Sequence, residues 1–198
     1  MSLQEFTALL VLATAMSFTP GPNTTLSTAL AANFGLRRAM RFVCAVPVGW
    51  ALLLSACATG LGPLVQAVPV LRWGIQITGC GYLLWLAFKL WHTRQLGQTS
   101  EASLQIGFWQ GVALQAVNIK AWMLALTITG GWIAGKPDAA LRYTQVLPVM
   151  VCYAFCSNLT YASIGSLMRH WLAQGQRLLV FNRVMAAVLA ATAVWMLN

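Results

Sequence analysis

Acidic residues are almost missing from this chain: among 198 residues there are three, Glu5, Glu101 and Asp138. Charge of either sign is scarce, at 8% of positions, while 59% are hydrophobic, far from the balance of a soluble domain. No stretch is polar enough to form a separate soluble domain. Histidine is equally sparse, and His92 and His170 are too scattered to make a metal site. The five cysteines, Cys44, Cys57, Cys80, Cys152 and Cys156, are an odd set at irregular spacing, which excludes a disulfide framework and a zinc pattern. They read as small apolar packing residues. Cys152 and Cys156, four apart on one helical face, are the pair that a redox chemistry would use. No cofactor or metal is expected.

The chain also lacks a basic stripe or tail. Its 12 Lys and Arg sit between apolar runs, so the formal net charge of +9 speaks against nucleic acid as a partner and for charges that orient helices in a lipid bilayer. The first apolar stretch has no basic start and contains Glu5, unlike a secretory signal, and is expected to be a retained helix.

What is present is apolar length. Crossing the hydrocarbon layer takes about 20 apolar residues, and six segments offer this: 3–32, 40–62, 69–91, 106–134, 141–168 and 177–197. The expected fold is an all-α integral membrane protein of six transmembrane helices, one transport domain over 1–198. The longest linker, His92 to Gln105, is polar. Arg37, Arg38, Arg41, Lys89, Arg94, Arg169, Arg177 and Arg183 flank the odd-numbered loops, against Arg72, Lys136 and Arg142 at the even-numbered ones. Because basic loops stay cytoplasmic, both termini are expected outside. Three spans per half, about 1–98 and 99–198, would make the halves face opposite ways, as in inverted-repeat transporters that bind substrate near the midplane.

Two segments interrupt this apolar pattern. Phe18-Thr19-Pro20-Gly21-Pro22-Asn23 lies within the first span. Pro20 and Pro22 lack amide hydrogens and clash with the preceding turn, so the helix breaks and frees the carbonyls of Met16 and Phe18. Freed carbonyls at membrane depth need a polar cavity or a protein partner. Beyond the break, Asn23, Thr24 and Thr25 open a half-helix whose amides and positive end suit a carboxylate. The plain alternative is a proline kink satisfied between helices.

The second segment, Gln115-Ala116-Val117-Asn118-Ile119-Lys120-Ala121-Trp122, sits inside the fourth span. Lys120 is the basic residue deepest in any span, and retaining a charge there makes function the default reading; the alternative is a stem that snorkels to an interface. With every acid near an end or in a loop, a midplane acid relay is excluded. Any proton coupling then runs through Lys120, a water chain or the substrate. Asn158 and Thr160, with Gln110 and Gln115, are further cavity candidates, although bonds between helices are the commoner role for such residues. Pro47 and Pro148 are placed to kink the second and fifth spans, and the nine Trp mostly read as interfacial anchors.

Phe18 to Asn23, Gly35-Leu36-Arg37-Arg38-Ala39 in the first loop, and Asn118-Ile119-Lys120 together resemble the LysE/RhtB family of amino-acid exporters, over nearly the whole chain. The resemblance implies efflux of small amino acids or their derivatives across the bacterial inner membrane, driven by the proton-motive force. Most relatives have Asn-Pro-Lys in the fourth span. Ile119 in place of the proline resembles the cysteine and O-acetylserine exporter branch and leaves it open whether the fourth helix is fully broken. The expected substrate-binding residues are Thr19, Pro20, Gly21, Pro22, Asn23, Thr24, Gln115, Asn118, Lys120 and Asn158. Two rival readings are a membrane thiol oxidoreductase using Cys80, Cys152 or Cys156, and a non-transporting subunit of a larger complex. Homo-oligomerisation is left open.

Overall fold

The computed structural model describes residues 1–96 and 106–197, so most of the His92 to Gln105 linker, Glu101 included, lies outside the described residues. The chain is a succession of helices: α1 Leu3–Phe18, α2 Pro22–Phe34, α3 Leu36–Ala58, α4 Leu61–Ala67, α5 Pro69–His92, α6 Phe108–Val117, α7 Ile119–Ile128, α8 Ala139–Leu167, α9 Arg169–Leu172 and α10 Arg177–Trp195. A π-helical turn, Thr129–Ile133, extends α7.

Local chemistry sets these boundaries. Ser2 and Glu5 form a capping box at the start of α1, the Glu5 amide donating to Ser2 Oγ at 3.2 Å and the Ser2 amide to the Glu5 carboxylate at 2.8 Å. Pro20 and Pro22 end α1, and Pro22 then opens α2, where a missing amide hydrogen costs nothing. Gly35, at φ 83°, is the whole link between α2 and α3. The expected first loop is thus a single residue, and Arg37, Arg38 and Arg41 belong to the first turns of α3. Pro47 and Pro148 lie within the continuous helices α3 and α8.

Among the described residues, α3, α8 and α10 are long and apolar enough to cross a membrane, and α6 with α7 and its π turn forms a fourth such unit, bent by 67°. The six expected segments do not all meet that standard singly. The first is divided into pieces of 16 and 13 residues. The third, α5, is diluted by Arg72, Gln76, Lys89 and His92. Leu52, Ile77, Phe88 and Val180 project outward from their helices, a surface suited to lipid rather than water.

Helix α2 is the central pillar, buried at every position from Thr24 to Asn33. Its Thr, Ser and Ala side chains let neighbours approach closely, as small residues do between helices in lipid. Gly165 of α8 sits so near that a Cβ there would fall 2.2 Å from the Thr28 carbonyl oxygen. Apolar side chains from α2, α3, α5 and α10 pack around the far end of the pillar, and a second cluster joins α1, α3, α7 and α8.

Two polar ties hold opposite ends of the fold. At the end of α2, Asn33 and Asn182 exchange amide hydrogen bonds of 2.8 and 3.0 Å, and Asn182 also donates to the Thr93 carbonyl at 2.9 Å. Both Asn residues are fully buried. Asn182→Leu leaves buried Asn33 Oδ1 without its donor, although Asn33 Nδ2 keeps its 2.9 Å bond to the Ala29 carbonyl, and is expected to lower stability by about 1–2 kcal/mol. The measurement is the midpoint of thermal unfolding in detergent, followed by Trp fluorescence. At the other end, Arg142 donates to Glu5 at 2.9 Å and to Asp138 at 2.7 Å, and the Trp132 indole donates to the Glu5 carbonyl at 2.8 Å. The hydrogen bond from Arg142 holds the Asp138 carboxyl below its ordinary value.

Candidate functional site

The two interrupted segments meet between the two apolar clusters. The α1–α2 break leaves carbonyls that α1 cannot use. The Tyr161 hydroxyl donates to the Phe18 carbonyl at 2.8 Å, and Lys120 Nζ donates to the Thr19 carbonyl at 2.7 Å, with Pro20's carbonyl at 3.5 Å. The Lys120 ammonium is thus held by the broken backbone of another helix. The Phe18 carbonyl, read from the sequence as free, is occupied by Tyr161.

Gly21 makes this approach possible. Its backbone is extended, and a Cβ there would lie 3.0 Å from Lys120 Cδ and 3.2 Å from Nζ. On the α2 side of the break, the Gly21 amide and the Thr24 hydroxyl bond each other's residues at 3.0 and 3.1 Å. Pro22 has no amide hydrogen, and the first-turn amides of Asn23 and Thr24 point out of the helix start. They add the positive end of the helix dipole to the Lys120 charge.

The fourth span is broken as well, although Ile119 stands where a proline would force the issue. Asn118 is extended, at φ −87° and ψ 100°, and both ends α6 and begins α7. The Trp122 indole spans the break and donates to the Ala116 carbonyl at 2.8 Å, satisfying an acceptor that the break frees. Gly79 of α5 lets the neighbouring Val117 carbonyl come close; a Cβ at that glycine would fall 2.0 Å from its oxygen. The question that Ile119 left open is thus answered: side-chain and packing partners stabilise a break that proline does not impose.

A cavity of about 60 Å³ lies where the breaks meet, lined by Thr19, Gly21, Pro22, Asn23, Thr24, Asn118, Lys120 and Asn158 of the expected residues. Pro20 and Gln115 are not in its wall. Pro20 contributes only its distant carbonyl, and fully buried Gln115 stands behind Asn23, the two amides exchanging bonds of 2.8 and 3.1 Å. Asn158 accepts from Ser27 at 2.9 Å, tying α8 to the pillar. Thr160 is exposed and bonds back to the Cys156 carbonyl at 2.8 Å, and Gln110 caps Gly107 at 2.7 Å, so these two lesser candidates belong to local helix structure.

The wall also contains Ser17, Val46, Trp50, Leu124, Met150 and Ser157. Trp50 is 4% exposed, unlike an interfacial anchor. Only the neighbourhood of Pro47 for Trp50, and of Asn158 for Ser157, marked these positions in the sequence. Among the described residues, no acid lines the cavity. The arrangement offers a cation, two helix starts and uncharged hydrogen-bonding groups against an apolar wall, which suits a small molecule carrying a carboxylate. Cys80 is buried on α5, and Cys152 and Cys156 are exposed on α8 with sulfurs 3.9 Å apart; none of the three lines the cavity.

Comparison with known proteins gives the family of the chain. Residues 14–198 match the LysE type translocator family. The chain is 28% identical to a cysteine/O-acetylserine efflux protein of Klebsiella pneumoniae, over 90% of this chain and 89% of that one. It is 30% identical, over 90% of each chain, to proteins of the same description from Escherichia coli and Shigella flexneri. No solved structure matches it significantly. The chain belongs to the LysE family of translocators, and is a multi-pass membrane transporter rather than an enzyme.

Proposed function

We propose that this protein exports small neutral amino acids or their derivatives, of the cysteine/O-acetylserine or homoserine/threonine kind, across the bacterial inner membrane under the proton-motive force. The observation that carries this reading is the Lys120 ammonium, 2.7 Å from the Thr19 carbonyl where the two broken segments meet. Lys120 and the first-turn amides of α2 hold the substrate carboxylate. A cationic side chain is disfavoured, because no acid among the described residues lines the cavity and Lys120 repels like charge. The names of the relatives point to the same class of small amino acids.

The chain crosses the membrane six times as two inverted halves and works by alternating access around the cavity. In support, a broken helix opens each half, and Arg37, Arg38, Arg41, Lys89, Arg94, Arg169, Arg177 and Arg183 flank the odd-numbered connections. That distribution puts both termini in the periplasm. The experiment is counterflow of a radiolabelled amino-acid panel into proteoliposomes holding the purified chain alone. Saturable exchange of cysteine, O-acetylserine, homoserine or threonine, without exchange of lysine or arginine, is the expected result. No exchange of any amino acid by monodisperse protein would overturn the proposal.

A further inference from the structure

Resting on that export reading, we infer that the Asn118 carboxamide is the acceptor for the substrate's α-ammonium, and so the residue by which the site selects α-amino acids over carboxylates that lack the amino group.

Asn118 begins α7, the position where an Asn side chain ordinarily caps the helix by accepting from an amide of the first turn. Here it makes no such bond. The amides of Ala121 and Trp122 go instead to its backbone carbonyl, at 2.9 and 3.1 Å. The side chain lines the cavity two residues from Lys120. The residue is 2% exposed, and its Oδ1 is buried with no hydrogen-bond partner. A buried carbonyl oxygen without a donor is uncommon in folded proteins and calls for an explanation.

Several of the other acceptors nearby are already engaged. Phe18's carbonyl holds Tyr161, Thr19's holds Lys120, Asn158 Oδ1 holds the Ser27 hydroxyl, and Asn23 is paired with Gln115. With no carboxylate in the wall among the described residues, an incoming ammonium must be met by an uncharged oxygen, and Asn118 Oδ1 is the wall's buried side-chain oxygen left without a donor. The amide can also turn about its last torsion, which lets the oxygen follow the substrate. An amino acid whose carboxylate sits on Lys120 carries its ammonium on the adjacent carbon, and Asn118 lines the same cavity as Lys120.

The test compares wild type with Asn118→Leu, similar in size but without the amide, in proteoliposomes under reducing conditions. L-cysteine counterflow is measured alongside its inhibition by 3-mercaptopropionate, the same molecule without the amino group. The expected result is an apparent KM for cysteine raised about ten- to hundred-fold, with inhibition by 3-mercaptopropionate retained. Retained inhibition also shows that the variant is folded. Equal weakening of both ligands, or an unchanged preference for cysteine, would overturn the assignment. Wild-type vesicles that bind and exchange no amino acid would overturn the export reading itself, and the assignment with it.

Discussion

Lys120→Ala is expected to reduce amino-acid counterflow by about 100-fold or more, while the purified protein stays monodisperse. Truncating one partner of a desolvated charged interaction typically costs about 2–5 kcal/mol, and about 1.4 kcal/mol is a factor of ten. Lys120 donates to the Thr19 carbonyl at 2.7 Å and is, among the described residues, the one charged side chain in the cavity wall, so no neighbouring side chain supplies the lost positive charge. Lys120→Arg is expected to recover little. The forked guanidinium is larger than an ammonium, and the stem already runs 3.0 Å from the place a Cβ on Gly21 would occupy. The measurement is initial rate of counterflow at matched protein in the vesicles. Normal export by Lys120→Ala would remove the centre of the proposed mechanism.

The largest loss of folded protein is expected from Gly79→Leu. The first atom of that side chain would lie 2.0 Å from the Val117 carbonyl oxygen, so α5 and the end of α6 must separate. Forcing extra atoms into a packed interface costs about 1–3 kcal/mol and at times more, and here the displaced backbone belongs to the break that presents Asn118 and Lys120. Both the thermal midpoint in detergent and transport should fall. Gly81→Leu is the internal control: it lies on the same helix two residues on, with nothing within 4 Å of its Cβ position, and should change neither. Equal tolerance of both substitutions would show that the close approach is unimportant.

The first break was legible because two prolines around a glycine forbid helix by covalent structure alone, whatever surrounds them. The second was only half legible. Lys120 announced itself as a charge at depth, but Ile119 carries no such prohibition. The break there depends on the Trp122 indole and on room made by Gly79, distant or tertiary facts that no local pattern contains. Trp50 and Met150 were missed for a related reason. A large apolar residue in the wall of a cavity has the same sequence signature as one in the core or at the membrane interface, and only the arrangement of α3 and α8 distinguishes them. The one-residue link at Gly35 was hidden because Arg37 and Arg38 look like loop residues, although charged side chains fit the exposed start of a helix equally well.

The encased pillar has a consequence for how rigidity is distributed. Local opening is easiest where few buried contacts must be broken, and hardest where an element is enclosed on every side. Helix α2 is of the second kind, and α1, with Leu3 and Val11 mostly exposed and few buried positions, is of the first. The three residues from Thr19 to Gly21 are therefore a seam between an element enclosed by protein and one whose outer face is open to lipid. The ammonium of Lys120 is fastened to that seam.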